Sequence, residues 1–470
     1  MYVTMKKLFL AFPLLIFILA ANGQPAAEKI RTAYAKFEND SQLTNAIASL
    51  YVIDAKTGEV VFEKNAAIGL PTASTLKIIT AASAYELLGT GFRYRTKVFY
   101  TGTIEKNKLK GDLVLKGSGD PTFGSWRYDA TKRQAVLNAL AEQLKQKGIR
   151  GIEGSVVIDE SDFSYQPAPG GWIWDDMGNY YGAGAWGMNW NENQYDLILK
   201  PGKKTGDPTA IVRTDPDAGY FLFNGIRTGA KGSGDNGYIY LARYQVSGFT
   251  EGTIPLQDAA FTISGSLSHP AVVMGKEITN LLLKNHITVS KPLKIVTAAS
   301  SPMQATMHPL YTFNSPELDS IIYWFLQKSI NLYGEALAKT IAFQKTGIGS
   351  TDNAVQIIRD FWTGKGIPAS ELHIVDGSGL SPLNRVTTRA QVAVLRAARE
   401  EPWFRGYYEA LPEYNGMKMK SGTINGTKGF CGYQRSKDGR DFIFSFLVNN
   451  FHGSSSSVVN KMYKVLDQLK

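Results

Sequence analysis

Ser74-Thr75-Leu76-Lys77 sets a hydroxyl and an amine three residues apart at the head of an apolar segment. On a helix that spacing puts both side chains on one face, within mutual reach. The positive end of the helix favours negative charge developing at Ser74. A lysine desolvated there loses its proton more easily and can take the serine proton. Alone, S-x-x-K arises often by chance; two later runs give it context. Ser329-Ile330-Asn331 offers a hydroxyl able to relay a proton to a leaving amine, and an amide able to orient Lys77 and hold a substrate carbonyl. Lys420-Ser421-Gly422-Thr423 reads as a strand before a tight turn. Its ammonium and the hydroxyls of Ser421 and Thr423 can bind a substrate carboxylate. Gly422 leaves room for substrate along the strand edge. In this order, on a helix start, a helical region and a strand, the three runs point to nucleophilic acyl chemistry.

Residues so far apart need a scaffold that gathers them. A short helix is predicted over 26–37, with Ile30, Ala33, Tyr34 and Phe37 at helical spacing. Strands over 46–54 and 59–65 flank the turn Ala55-Lys56-Thr57-Gly58, and an apolar helix runs from Thr75 to Leu88 until Gly89-Thr90-Gly91 stops it. At the far end, helices are predicted over 315–346, 353–364 and 388–400. Strands follow over 418–423, 429–435 and 441–449, joined by Asn425-Gly426 and Lys437-Asp438-Gly439 turns. The closing helix, 456–469, has Val459, Met462, Val465, Leu466 and Leu469 on one face, which suits packing on the neighbouring sheet better than a membrane surface. The two ends can thus form one antiparallel sheet covered by helices. Between them, residues 93–296 change texture. Short strands (96–101, 108–116, 154–159, 196–200, 238–246) alternate with Gly-, Pro- and Asn-rich turns, plus one helix near 131–147, as in one or two inserted β-rich modules.

Composition narrows the field. At 44% hydrophobic and 20% charged residues the chain is folded, not disordered. One cysteine, Cys431, excludes an internal disulfide framework, and five scattered histidines without an HExxH pair argue against a metal; no cofactor is expected. Lys6 and Lys7, the apolar run 8–20 and the small residues Ala21-Asn22-Gly23 have the anatomy of a signal peptide, residues 1–23, an uncleaved N-terminal anchor being the alternative. Its removal would leave a net charge of +8. An exported chain without a transmembrane anchor after signal cleavage, in the periplasm or extracytoplasmic cell envelope, is expected. Its positive surface suits anionic wall polymers or serves solubility, and nucleic acid is not an expected partner.

With S-x-x-K, S-x-N and K-[ST]-G in hand, the sequence resembles the active-site serine penicillin-recognising enzymes. It is more closely similar to the D-alanyl-D-alanine carboxypeptidase/endopeptidase family, the class C low-molecular-mass penicillin-binding proteins. The runs Gly111-Asp112-Leu113-Val114-Leu115-Lys116-Gly117-Ser118-Gly119-Asp120-Pro121-Thr122, Gly171-Trp172-Ile173-Trp174-Asp175-Asp176, Asn331-Leu332-Tyr333-Gly334-Glu335-Ala336 and Asp376-Gly377-Ser378-Gly379-Leu380-Ser381 carry that closer likeness. So do the 251 residues separating Lys77 from Ser329. Two departures stand out: S-I-N replaces S-D-N, and K-S-G replaces the commoner K-T-G.

The resemblance implies an α+β fold of β-lactamase/transpeptidase type, an antiparallel sheet covered by helices with a large β-rich insertion. Residues 24–92 and 297–470 would form the catalytic unit, 93–165 and 265–296 an inserted unit, and 166–264 a second unit nested within it. Ser74 would be the acylated nucleophile and Lys77 its base; Ser329 and Asn331 form the second element, and Lys420, Ser421 and Gly422 the third. The backbone N–H groups of Ser74 and Thr423 would make the oxyanion hole. An acidic residue of the Trp-rich run, Asp175 or Asp176, would meet the free amine of the peptide's diamino acid, a surface or turn-capping Asp being the alternative. Asp376-Gly377-Ser378-Gly379 reads as a loop bracing the site. The implied activity is that of a serine DD-peptidase on peptidoglycan stem peptides, cleaving D-Ala–D-Ala and D-Ala–diamino-acid bonds, with β-lactams as covalent inhibitors. A β-lactamase, or a non-catalytic wall-binding or β-lactam-sensing protein, remains the alternative, and oligomeric state stays open.

Overall fold

The computed structural model describes residues 24–300 and 305–470; the export segment expected over 1–23 lies outside them. The two ends of the chain meet in one six-stranded sheet. Its order is Val60–Lys64, Ile47–Asp54, Asp441–Asn449, Thr427–Arg435, Met417–Ile424, Glu413–Tyr414, and every neighbouring pair is antiparallel. Strand alternation divides the side chains between two layers. On Asp441–Asn449, Phe442, Phe444, Phe446 and Val448 pack with Ile30 and Phe37 of helix Gln24–Glu38 and with Met462 of helix Ser455–Leu466. Ile443 joins the other core, and Ser445 hydrogen-bonds Gln391 there.

That second layer holds the helices Lys77–Leu88, Leu318–Gln327, Asn331–Thr346 and Thr388–Arg399. Lys77–Leu88 has no polar stripe: Lys77 through Tyr85 are all buried. A helix apolar on every side sits in the middle of a core, and this one carries Lys77 in with it.

The insertion leaves and returns at a clasp. Tyr94 N–H donates to Ser315 Oγ at 2.9 Å, and Ser315 N–H donates to the Tyr94 carbonyl at 3.0 Å. Between these points lies a five-stranded sheet, ordered Lys294–Val296, Val156–Asp159, Leu113–Lys116, Arg95–Thr101, Met307–Asn314, with helices Arg133–Gln146 and Pro270–Lys284 packed in the same core. A further sheet sets Gln194–Lys200 between Ala210–Asp215 and Phe261–Ser266; another is built around Ser247–Pro255.

Several elements differ in extent or partner from the sequence reading. Residues 307–314, assigned to the catalytic unit, pair with Arg95–Thr101 from Met307 opposite Thr101 to Asn314 opposite Arg95; the returning chain completes the sheet that the departing chain opened. The 264/265 boundary cuts through Phe261–Ser266, whose pairing with Gln194–Lys200 runs to Ser266 opposite Gln194. One apolar core joins Val98 and Leu113 to Leu197, Ile254 and Ile263. The single helix expected over 315–346 breaks into Leu318–Gln327 and Asn331–Thr346. Ser329 in the break has φ +56°, a left-handed conformation that no continuous helix accommodates. The strand expected over 238–246 ends at Tyr240, and that over 108–116 is split at Gly111-Asp112.

Candidate active site

Ser74 sits in a tight turn, Ala73–Leu76, that feeds directly into helix Lys77–Leu88. Ala73 just before it has φ +47°, a strained value for a residue with a side chain, held only where surrounding structure dictates it. A buried relay does so here. Ser445 Oγ donates to Gln391 Oε1 at 2.6 Å, Gln391 Nε2 to Thr75 Oγ1 at 2.8 Å, and Thr75 Oγ1 to the Thr72 carbonyl at 2.7 Å. Two glycines complete the clamp. A Cβ on Gly379 would lie 2.0 Å from the Ala73 carbonyl oxygen, and one on Gly422 would lie 2.6 Å from that of Thr72 and 3.1 Å from Ser74 N. The glycine of the third run is therefore required by close backbone approach to the serine turn.

Lys77 Nζ lies 2.9 Å from Ser74 Oγ, 2.6 Å from Asn331 Oδ1 and 2.6 Å from the Ser378 carbonyl oxygen. Burial, reinforced by the charge of Lys420, holds its pKa well below the usual lysine range. A neutral amine has two N–H donors and one lone pair. With Asn331 and Ser378 taking the two donors, the lone pair is left facing the Ser74 hydroxyl. That is the arrangement of a base and its nucleophile.

Asn331 begins helix Asn331–Thr346, and its Nδ2 donates to the Tyr181 carbonyl of the insertion at 2.7 Å. More bonds tie the insertion to this helix. Lys339 Nζ donates to the carbonyls of Gln166 at 2.7 Å and Ala185 at 3.0 Å, and Tyr333 Oη to Glu192 at 2.8 Å. Trp172 Nε1 donates to Asp376 Oδ2 at 3.0 Å. The insertion is thereby a wall of the site.

A cleft of about 1110 Å³ opens over these groups, lined among others by Ser74, Ser329, Asn331, Thr423, Asp175 and Asp176. Both acidic residues thus reach the pocket. Asp176 is pushed up to about 6 by its partial burial and by the charge of Asp175. Lys420 is buried and absent from the cleft lining, on the sheet face that also carries Cys431. Its Nζ donates to the Ser421 carbonyl at 2.9 Å, and burial pushes its pKa down to about 8. Thr423 lines the cleft and its Oγ1 accepts from Lys428 Nζ at 2.7 Å. Ser421 is half-buried and is absent from the cleft lining, as is Gly422.

Sequence reasoning missed Gln391 and the Ser378 carbonyl as direct supports of Thr75 and Lys77. A glutamine inside an apolar helical stripe is a weak signal, and a backbone carbonyl leaves none. The loop from Asp376 to Gly379 does brace: Asp376 accepts from Gly379 N–H and Ser381 N–H at 2.7 Å each, while the Gly377 carbonyl accepts from Thr80 at 2.7 Å.

Known proteins are similar to this chain in sequence and in fold. A D-alanyl-D-alanine carboxypeptidase of Actinomadura sp. (strain R39) is 26% identical over 440 residues, covering 88% of this chain and 79% of its own. The D-alanyl-D-alanine carboxypeptidase DacB of Haemophilus influenzae is 23% identical over 419 residues, 84% and 83% of the two chains. The crystal structure of penicillin binding protein 4 (dacB) from H. influenzae superposes with a TM-score of 0.78 at 19% identity, over 95% of this chain and 98% of that one. The D-Ala-D-Ala carboxypeptidase 3 (S13) family model matches residues 30–413, a span that contains Ser74, Lys77, Ser329 and Asn331 and stops before Lys420. With that span covering most of the chain, this protein belongs to the D-Ala-D-Ala carboxypeptidase 3 (S13) family of serine peptidases.

Proposed function

We propose that this chain is a serine DD-peptidase whose nucleophile is Ser74, acting on peptidoglycan stem peptides that end in D-Ala–D-Ala. Neutral Lys77 takes the Ser74 proton as Oγ attacks the carbonyl carbon of the penultimate D-alanine. The C–N bond then breaks; the amine departs with a proton relayed from Lys77 through Ser329, which lines the same cleft. Water then attacks the acyl-enzyme and gives its proton to Lys77; as the ester C–O bond breaks, Lys77 returns that proton to Ser74 Oγ, freeing the shortened peptide and restoring the serine hydroxyl and the neutral amine. Lys420, with Thr423 at the cleft wall, attracts the terminal carboxylate, and Asp175 and Asp176 attract an ammonium on the peptide's diamino acid. Cross-links between D-alanine and a diamino acid fit the same chemistry with a bulkier leaving amine, and a β-lactam would acylate Ser74 and leave slowly.

The observation that carries this reading is the buried Lys77 amine, 2.9 Å from Ser74 Oγ and 2.6 Å from both Asn331 Oδ1 and the Ser378 carbonyl oxygen, with burial lowering its pKa. Among the described residues no helix is long and apolar enough to cross a membrane; a wall substrate supports an extracytoplasmic location. We further propose that 93–314 is the inserted unit and that the catalytic unit resumes at Ser315. The test is release of D-alanine from a soluble stem pentapeptide: the wild-type chain releases it and Ser74→Ala does not. Equal release by both would overturn the proposal.

A further inference from the structure

The outer face of the sheet built around Ser247–Pro255 carries a row of aromatic rings that the chemistry at Ser74 does not use. Phe223 pairs with Phe249 across a parallel ladder, and Phe249 with Tyr240 across an antiparallel one, so the three stand side by side on one face. Phe249 and Tyr240 are stacked, centroids 4.7 Å apart and planes 13° from parallel. Trp174 extends the line, its ring 6.0 Å from that of Tyr240. Phe221, two residues before Phe223, shares its face. Phe223 and Phe221 are 81% and 72% exposed, more than any other large apolar side chain among the described residues. Folding does not need them there: the inner face of the same strands already buries Ile239, Thr250 and Ile254. An exposed apolar patch of this kind marks a binding surface.

What it binds follows from continuity and chemistry. Tyr240, Tyr238 and Ile173 line the cleft that holds Ser74, so the row begins at the active site and runs outward. At about 5 Å per strand it extends on the order of 15 Å, the length of several sugar rings. Polar side chains interleave with the rings: Ser247 is opposite Phe221, and Glu251 opposite Tyr238. A flat aromatic face, negative at its centre, attracts the C–H face of a pyranose, while the hydroxyl and carboxylate between the rings suit its hydroxyl rim. Hydrocarbon of a lipid would leave Ser247 and Glu251 without partners.

We infer that this row is a glycan-binding platform that holds the sugar strand bearing the stem peptide whose end lies at Ser74. The inference rests on the DD-peptidase reading above, and its test separates the two. The variant is Phe221→Ser/Phe223→Ser, remote from the catalytic groups and solvent-exposed. The probes are the β-1,4-linked N-acetylglucosamine hexamer, titrated calorimetrically, and turnover of a soluble stem pentapeptide against glycan-linked peptidoglycan. The wild-type chain should bind the hexamer saturably in the millimolar range, and the variant about tenfold more weakly. The variant should turn over the pentapeptide as the wild type does and the polymer about tenfold more slowly. Absence of saturable hexamer binding, an equal loss on both substrates, or a wild-type dimer that the variant converts to monomer would each overturn it. A wild-type chain inert toward the pentapeptide would count against the DD-peptidase reading instead, while hexamer binding would still test the platform.

Discussion

Trp172 of the insertion donates its indole N–H to the buried Asp376 carboxylate at 3.0 Å, and Asp376 in turn holds the loop whose Ser378 carbonyl accepts from Lys77. A residue 98 positions after Ser74 therefore steadies the base beside it. Trp172→Phe keeps the ring and removes the donor, at a cost of about 1–3 kcal/mol for a buried carboxylate left short of one bond. Urea unfolding should show that loss, and kcat should fall with little change in KM, because the loop, not substrate binding, is disturbed.

Lys420 predicts a stability–activity conflict. Its pKa, lowered to about 8 by burial, means the folded state binds its proton less readily than the unfolded one. Stability should therefore rise between about pH 8 and the ordinary lysine range, where only the unfolded state still holds that proton. Lys420→Met removes the buried charge and should raise stability at neutral pH by about 1–4 kcal/mol, measurable by calorimetry, while raising KM for carboxylate-ended peptides.

The same variant moves the pH profile. In the wild type, kcat/KM should climb as Lys77 loses its proton and fall above about pH 8 as Lys420 loses its charge. Lys420 helps hold the Lys77 pKa down, so in Lys420→Met the acidic limb should shift to higher pH and the alkaline limb should vanish. A profile unchanged in both limbs would separate Lys420 from the catalytic charge system.

Asp176 takes up a proton near pH 6 because burial and the neighbouring Asp175 disfavour its charge. KM for a peptide with a free side-chain ammonium should rise as pH falls through that value. Asp176→Asn should raise it about tenfold at neutral pH with kcat unchanged. A peptide acetylated on that amine should not distinguish the variant from the wild type.

Gln391→Leu removes the bridge between Ser445 and Thr75. It leaves the buried Ser445 hydroxyl without its acceptor, at about 1–3 kcal/mol. Because the strained turn at Ala73 relies on this relay, kcat should fall further than an equal destabilisation elsewhere would cause. A distant core variant of matched melting temperature provides the comparison.

The central sheet and the Ser74, Lys77 and Asn331 cluster were legible in the sequence because each rests on local signals: strand runs joined by turn residues at both chain ends, an apolar helix start, short polar runs inside apolar segments. The β-rich insertion was legible from its change of texture, but the pairing of its last strand was not. Met307–Asn314 declares its sheet only through pairing with Arg95–Thr101, a contact between residues two hundred positions apart. The break at Ser329 was hidden for a different reason. Residues on both sides read as helix, and the left-handed φ of Ser329 has no local signal; it precedes Asn331, which meets Lys77. Gln391 and the Ser378 carbonyl act through geometry alone.

The claim on which the rest depends is that Ser74 forms the covalent bond. Intact-mass spectrometry after incubation with penicillin, followed by peptide mapping, tests it directly. One adduct per chain on the peptide containing Ser74, released slowly and absent in Ser74→Ala, is the predicted result. An adduct at Ser329 or any other residue, or labelling of Ser74→Ala equal to that of the wild type, would contradict it.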